Sequence, residues 1–178
     1  MYTKSTCSAP VALAIAIALV SAAGSTVAAD VERYDYQSAA GACQGALPAF
    51  AGTLRARPLA IANEGVTGAF VTCAQVTDEF NSESRTTNAI LGLGNVGTSP
   101  VTLKCTFVHG RGGSSVPASY LPLMPMTLDP GQTGFFQIVP ENIDPNMSRL
   151  RYAQWSCSLP PGAVINYLGR HYIDYVGN

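Results

Sequence analysis

The sequence predicts an all-β protein, an antiparallel β-sandwich of the jelly-roll or immunoglobulin-like type with about eight strands and two disulfides. Three observations support this fold class. Apolar and polar residues alternate in short runs, as they do in strands that have one buried face. Clusters of Gly, Pro, Asn and Asp separate these runs at near-regular intervals. Four of the five cysteines lie beyond the N-terminal apolar segment.

Turn residues divide the chain into the expected strands. After a candidate strand at "VERYDYQ", they are "RPLAIANEG", "GAFVTCAQV", "AILGL", "VTLKCTFVHG", "YLPLMPMTL", "TGFFQIV", "RYAQWSCSL" and "VINYLGRHYIDYV". The first two of these eight are adjacent, which favours a hairpin. Pro122 and Pro125 confine the fifth to a sheet edge or to irregular structure, because proline cannot donate a ladder hydrogen bond. We expect polar loops at 78–88 and 111–115, and a type II turn at "DPGQ".

Residues 1–29 have the pattern of a secretory signal peptide. Lys4 precedes an apolar run from Val11 to Val20, and small residues lead to a cleavage site between Ala29 and Asp30. The run has about half the length of a membrane-spanning helix, which favours cleavage over a retained anchor. We therefore expect residues 30–178 to form a single domain, secreted or periplasmic. No later segment is long and apolar enough for a spanning helix.

The four remaining cysteines are expected to form structural disulfides. In their strands, Cys105 and Cys157 share the apolar face, so we expect them to pair across the sandwich and leave Cys43 to pair with Cys73. The alternatives are a zinc site or a catalytic thiol. Neither is favoured, because the sequence has no C-x-x-C pair. No metal or other cofactor is predicted.

Residues Gly92, Gly94 and Gly97 match the G-x-G-x-x-G pattern of dinucleotide-binding folds. That site needs a helix directly after the glycines and an acidic residue about 20 positions further on. Here another strand follows, and the next acidic residue is Asp129. We interpret "GNVG" as a hairpin connection whose glycines supply positive φ angles and close strand approach.

Catalytic and metal-binding patterns are weak. His171 and Asp174 lie three apart on an expected strand, so their side chains should point to opposite faces. There is no G-x-S-x-G elbow, and a carboxylate pair would have to involve Asp78, Glu79 or Glu83 in a polar loop. The oxygen donors of "ENIDPN" suit calcium, but turns favour the same residues. We predict no enzymatic activity.

Charge also limits the partners. The formal net charge is −1, and the chain has no basic run to neutralise phosphates. Nucleic acid is therefore not an expected partner.

Aromatic residues are frequent towards the C-terminus. Trp155 shares a face with Cys157 and is assigned to the core. The tyrosines alternate between faces, so some are exposed, and an exposed ring can stack on a sugar. Tyr167 and Tyr172 are the candidate ligand contacts, together with Arg111, whose loop position suits an anion.

Several stretches resemble a group of small exported proteins of Gram-negative bacteria. They are "ACQGALPAF", "RARPLAIANEG", "AFVTC", "LDPGQTGFFQIVP" and "SCSLPPGAVINYL". The resemblance implies export and a disulfide-bonded β fold, and it carries over no catalytic residue.

Two function classes follow. One is a binding module for a glycan or another extracellular ligand or protein, which predicts clustered exposed tyrosines or a concave face. The other is a structural component of the cell envelope, which predicts an exposed strand edge and a flat polar surface. A hydrolase, the third class, would require His109 or His171 within hydrogen-bond reach of a Ser or Cys and of an acid.

Overall fold

The computed structural model describes residues 29–75, 84–110 and 118–176. They form twelve strands, a short helix α1 (Ala39–Ala42) and two 3₁₀ turns. The strands are β1 (Ala29–Ser38), β2 (Cys43–Gly45), β3 (Leu54–Arg57), β4 (Ala60–Asn63), β5 (Ala69–Ala74), β6 (Arg85–Asn95), β7 (Val101–His109), β8 (Ser119–Pro122), β9 (Met126–Leu128), β10 (Thr133–Ile138), β11 (Gln154–Leu159) and β12 (Ala163–Val176).

The strands form two antiparallel sheets packed face to face. Sheet A has the order β10-β6-β12-β4-β3, with β1 paired to the C-terminal part of β12 beyond β4. Sheet B has the order β2-β5-β11-β7-β8, with β9 also paired to β7. The chain passes repeatedly from one sheet to the other. The core of the sandwich is therefore two four-stranded sheets: β4-β12-β6-β10 faces β5-β11-β7 and a fourth position that β8 and β9 share beside β7. This is jelly-roll topology, so the predicted class and the eight core strands are confirmed; β1, β2 and β3 add to them.

The core lies between the sheets and follows the predicted alternation. Val101, Leu103 and Phe107 of β7 point inwards, and Trp155 of β11 is fully buried against Phe107 with ring centroids 4.8 Å apart. Leu91 of β6 and further aliphatic side chains of sheet A close the core from the other side. The assignment of Trp155 to the core is confirmed.

Both predicted disulfide pairings are confirmed, but their place in the fold was predicted wrongly. Cys43 bonds to Cys73, and Cys105 bonds to Cys157. Each pair lies directly opposite in register on neighbouring strands of sheet B. The disulfides therefore fasten strands within one sheet instead of joining the two sheets. A shared apolar face does not distinguish a neighbouring strand from a facing sheet.

Two predicted hairpins are wrong, because the consecutive strands that were expected to pair lie in different sheets. Strands β4 and β5 belong to different sheets, and so do β6 and β7. The hairpin in this region joins β3 to β4. The expected loop at 78–88 is also too long, because 85–88 belong to β6. The edge position of "YLPLMPMTL" is confirmed, since β8 ends the order of sheet B and contains Pro122.

The glycine-rich motif has a different structure from the one predicted. Gly92 and Gly94 are interior residues of β6, and neither has a positive φ. Gly97 lies in the connection to β7, where its N–H donates to the side chain of Asn95. In "DPGQ", however, Gly131 has φ 78° and Gln132 N–H donates to the Asp129 carbonyl, as a type II turn requires.

Some predictions fall outside the described residues. They include 1–28 of the signal peptide, the acids of 78–83 and the loop that contains Arg111. Among the described residues, none of the helices has the length and apolar character needed to cross a membrane.

Candidate functional site

One surface of the sandwich is rich in exposed aromatic rings. It is the outer face of sheet A, and its rings belong to Tyr34 and Tyr36 of β1, Phe135 of β10 and Tyr167 of β12. Register places them together, because residues directly opposite on neighbouring strands share a face. Tyr34, Tyr36 and Phe135 are 63%, 59% and 55% exposed, whereas Tyr167 is partly buried. We call this surface the aromatic face.

Two of the rings lie over glycines of the neighbouring strand. Tyr167 is opposite Gly92, and Tyr36 is opposite Gly169. A Cβ added at Gly92 would overlap the Tyr167 ring, and one added at Gly169 would lie 2.7 Å from Tyr36 Cε1. The missing side chains leave the space that the two rings occupy close to the backbone of the sheet. The rings of Tyr36 and Tyr167 then meet edge to face, with centroids 5.6 Å apart.

A shallow cavity of about 360 Å³ opens between Phe135 and Tyr167. Both residues pair with Gly92, one from each side, so they stand two strand spacings apart. Thr133 and Asn166 add polar groups to the lining. Asn166 lies at a bulge of β12, where the register shifts between Ile165 and Tyr167. Bulges of this kind redirect side chains at sites on sheets.

Only one of the two predicted C-terminal contacts belongs to the aromatic face. Tyr167 does, whereas Tyr172 lies on the opposite side of sheet A, opposite Arg33 and the buried Thr86. The guanidinium of Arg170 lies 4.3 Å from the centroid of the Tyr172 ring. An odd spacing of five residues puts the two tyrosines on opposite faces of one strand.

Sequence analysis missed the rings of Tyr34, Tyr36 and Phe135. The signal for the first two was present, because tyrosines two positions apart on a strand share a face. Their position near Tyr167 was not predictable, since it depends on the pairing of β1 with β12, more than 100 residues further along the chain.

His171 lies at the rim of the aromatic face. Its ring stacks on Tyr34, with centroids 4.4 Å apart and planes inclined by 10°. Thr87 Oγ1 is 3.2 Å from Nδ1, and a Glu32 oxygen is 3.7 Å from Nε2. Asp174 is on the other side of the sheet, where it pairs with Arg33 and accepts a hydrogen bond from Ser84. The predicted opposite placement of His171 and Asp174 is confirmed.

Two further candidates from the sequence are His109 and the oxygen donors of "ENIDPN". His109 is buried at the end of β7, beside a cavity of about 300 Å³ that Arg149 and Arg151 also line. In "ENIDPN", the carboxylate of Asp144 accepts from the N–H of Asn146, and the side chain of Asn142 accepts from the N–H of Val139. Within 29–75, 84–110 and 118–176, no group of three or more metal-ligating side chains forms.

The outer face of sheet B differs from the aromatic face. Its central rows carry hydroxyl and other polar side chains, namely Thr72, Lys104, Thr106, Gln154, Ser156 and Ser158. Two exposed aromatic residues also lie on this face, Phe70 on β5, opposite Ser158, and Tyr120 on the edge strand β8. Phe70 is close to Phe50, with centroids 6.0 Å apart. The side chains at the centre of this surface are mostly polar.

Comparison with known proteins gives distant structural similarities. No family model and no curated protein matches the chain. The C-terminal family 22 carbohydrate-binding module of Clostridium thermocellum Xyn10B superposes with a TM-score of 0.37 and 12% identity, covering 89% of this chain and 90% of that one. The CBM22-2 xylan-binding domain of Paenibacillus barcinonensis Xyn10C gives 0.36 and 11%, covering 86% and 93%.

A third similarity is to an enzyme. The exo-β-1,3-galactanase Pc1,3Gal43A of Phanerochaete chrysosporium gives a TM-score of 0.33 and 13% identity, covering 78% of this chain and 29% of that one. At these TM-scores the three similarities assign neither a family nor a function to this chain.

Proposed function

We propose that this protein is an exported, non-catalytic carbohydrate-binding protein and that it binds its ligand on the aromatic face. The observation that supports this most is the cavity between Phe135 and Tyr167, because the Tyr167 ring also contacts the ring of Tyr36. A sugar ring has an apolar face of C–H groups and a rim of hydroxyls. Aromatic rings stack on the C–H face, and neutral polar side chains form hydrogen bonds with the hydroxyls.

Rigidity of the rings also favours binding. Tyr36 and Tyr167 are each supported by a glycine backbone beneath them and by one another. A ring that is already fixed loses little rotamer entropy when a ligand stacks on it. Thr133 and Asn166 supply hydrogen-bonding groups beside the rings.

Export and the absence of catalysis are parts of this proposal. The two disulfides suit an oxidising compartment outside the cytoplasm. His171 is the histidine closest to the aromatic face, and its contacts are a threonine, a glutamate and a tyrosine ring. This arrangement lacks the Ser or Cys nucleophile that the hydrolase alternative requires.

The proposal is tested by affinity electrophoresis in gels that contain soluble polysaccharides. Tyr36→Ala and Tyr167→Ala should each reduce retardation, because each removes one stacking ring. We expect the apparent Kd to rise about tenfold, which is a loss of about 1.4 kcal/mol of binding free energy. Tyr120→Ala is the matched control: Tyr120 is 71% exposed but belongs to sheet B. Equal retardation of all three variants and the wild type would contradict the assignment of this face.

The polar face of sheet B favours a second candidate, a structural or protein-interaction role in the cell envelope. The exposed edge of β10 also matches that class, since β10 pairs only with β6 among the described strands. Here Thr106→Arg, at the centre of sheet B, should abolish co-purification with a specific envelope protein, while Leu59→Arg, at the exposed turn between β3 and β4 of sheet A, leaves it intact. The reverse pattern would count against this role.

A further inference from the structure

We propose that the ligand of the aromatic face is a single, soluble, uncharged glycan chain, and that anionic polysaccharides and flat crystalline surfaces are not its ligands. This inference rests on the proposed function and specifies its ligand class. Three features of the face support it: the engagement of its charges, the angles between its rings and the chemistry of its cavity.

The charged side chains of the aromatic face already have partners. Among the described residues of this face, Asp30 pairs with Arg85 at 2.9 Å, and Glu32 lies beside His171. These pairs occupy the end of the sheet away from the cavity. At the other end, Arg57 pairs with Glu64, and Arg55 Nη1 donates to two backbone carbonyls.

The centre of the face is uncharged. Around the cavity and Tyr36 the outward side chains are Ser38, Ile90, Thr133, Phe135, Gln137, Asn166 and Tyr167. A carboxylate or sulfate held there would lose water without gaining a cationic partner, and Arg or Lys normally supplies that partner. An uncharged sugar avoids this cost.

The rings do not share a plane. Tyr36 and Tyr167 are inclined by 73°, so a flat sheet of parallel glycan chains cannot stack on both rings. A single chain can, because its successive sugars present their faces at different angles. Phe135 and Tyr167 are two strands apart, about 10 Å at the usual strand spacing, and this separation gives a chain running across the strands a second contact.

Three residues of the outer face along this direction are glycines and therefore carry no side chain. Gly92, Gly94 and Gly169 all direct the position of an absent Cβ to the outer face. The Cβ position of Gly94 is bordered by a methyl group of Val164 at 3.0 Å, the amide of Asn166 at 3.2 Å and the methyl group of Thr133 at 3.6 Å. The amide of Asn166 both donates and accepts hydrogen bonds, which suits sugar hydroxyls, and the two methyl groups are apolar.

Affinity electrophoresis with the intact mature protein tests the ligand class. The gels contain soluble β-glucan, xylan or galactomannan as uncharged polymers, and polygalacturonate or heparin as anionic ones, while sedimentation with microcrystalline cellulose tests a flat surface. We expect at least tenfold tighter binding to one uncharged polymer than to either anionic one. That affinity should change less than about twofold between about 0.05 and 0.5 M NaCl, because no ligand charge is screened.

The other outcomes separate this inference from the proposed function. Tighter binding to an anionic polymer, still lost in Tyr167→Ala, would overturn the uncharged class and leave the binding face in place. Retention on cellulose that exceeds binding to every soluble polymer would overturn the single-chain assignment. Binding to none of these polymers would overturn the proposed function itself.

Discussion

Gly92 is the residue on which the shape of the aromatic face depends most. It lies between Tyr167 and Phe135 in register, and any side chain there meets the Tyr167 ring. The same glycine belongs to a sequence pattern that is typical of nucleotide-binding turns. In this fold its missing side chain leaves the space that the Tyr167 ring occupies.

We expect Gly92→Ala to weaken polysaccharide binding by about tenfold, because the added methyl group lifts the Tyr167 ring out of its place, and one stacking contact is worth about 1–1.5 kcal/mol. Retardation in affinity electrophoresis measures this. Gly52→Ala is the control, since an added Cβ there meets no atom within 4 Å. If Gly92→Ala has the circular dichroism spectrum of the wild type and binds polysaccharide equally well, the position of the Tyr167 ring does not matter for binding.

The burial of individual residues was predictable from the sequence, but their contacts across strands were not. Strand periodicity correctly placed Trp155, Cys105 and Cys157 on buried faces, because burial follows from local alternation. The contacts of Gly92 and Tyr36 were not predictable, since both depend on which residue lies opposite on another strand. That information is absent from a window of a few residues.

Strand β1 stands out among the elements because most of its side chains are exposed and it contributes little to the apolar core. Backbone pairing with β12 and side-chain charges hold it in place. Three of its four charged residues form ion pairs with β6 or β12, namely Asp30–Arg85, Arg33–Asp174 and Asp35–Arg170, and the fourth, Glu32, lies 3.7 Å from His171. Tyr34 and Tyr36 are therefore positioned by ion pairs and backbone pairing of their strand, and by ring contacts with His171 and Tyr167.

We expect the loss of different ion pairs of β1 to lower the free energy of unfolding by different amounts. Asp35→Ala should lower the free energy of unfolding by about 1.5–3 kcal/mol, because it removes a charged hydrogen-bond partner of the buried Arg170. Asp30→Ala should cost less than about 1 kcal/mol, since both groups of its pair are half exposed. Urea unfolding compares the two variants. Equal losses would contradict the distinction.

Prediction of the elements succeeded for the strands and failed for several connections. The candidate strand at "VERYDYQ" is confirmed as part of β1, and the edge position of β8 is confirmed. The two predicted hairpins assumed that consecutive strands pair, which is common in antiparallel proteins. In a jelly roll the chain crosses between sheets instead, and alternation alone does not record that crossing.

At the scale of the whole molecule, the disulfides and the aromatic face occupy different sheets. Replacing Cys105 and Cys157 together with Ala should lower the free energy of unfolding by about 2–4 kcal/mol, because the link closes a loop of 52 residues in the chain. Polysaccharide affinity should stay within about twofold while the variant remains folded. Urea unfolding and affinity electrophoresis measure the two quantities. A folded variant that no longer binds would contradict this separation.

The central claim is that a glycan contacts the outer face of sheet A. Titration of the ¹⁵N-labelled protein with a soluble, uncharged oligosaccharide tests it most directly, through the chemical shifts of backbone amides. We predict that the largest changes cluster at Tyr36, Gly92, Phe135 and Tyr167 and that the central strands of sheet B remain unchanged. Changes centred on Thr106 and Ser156 would contradict the account, as would none at millimolar ligand.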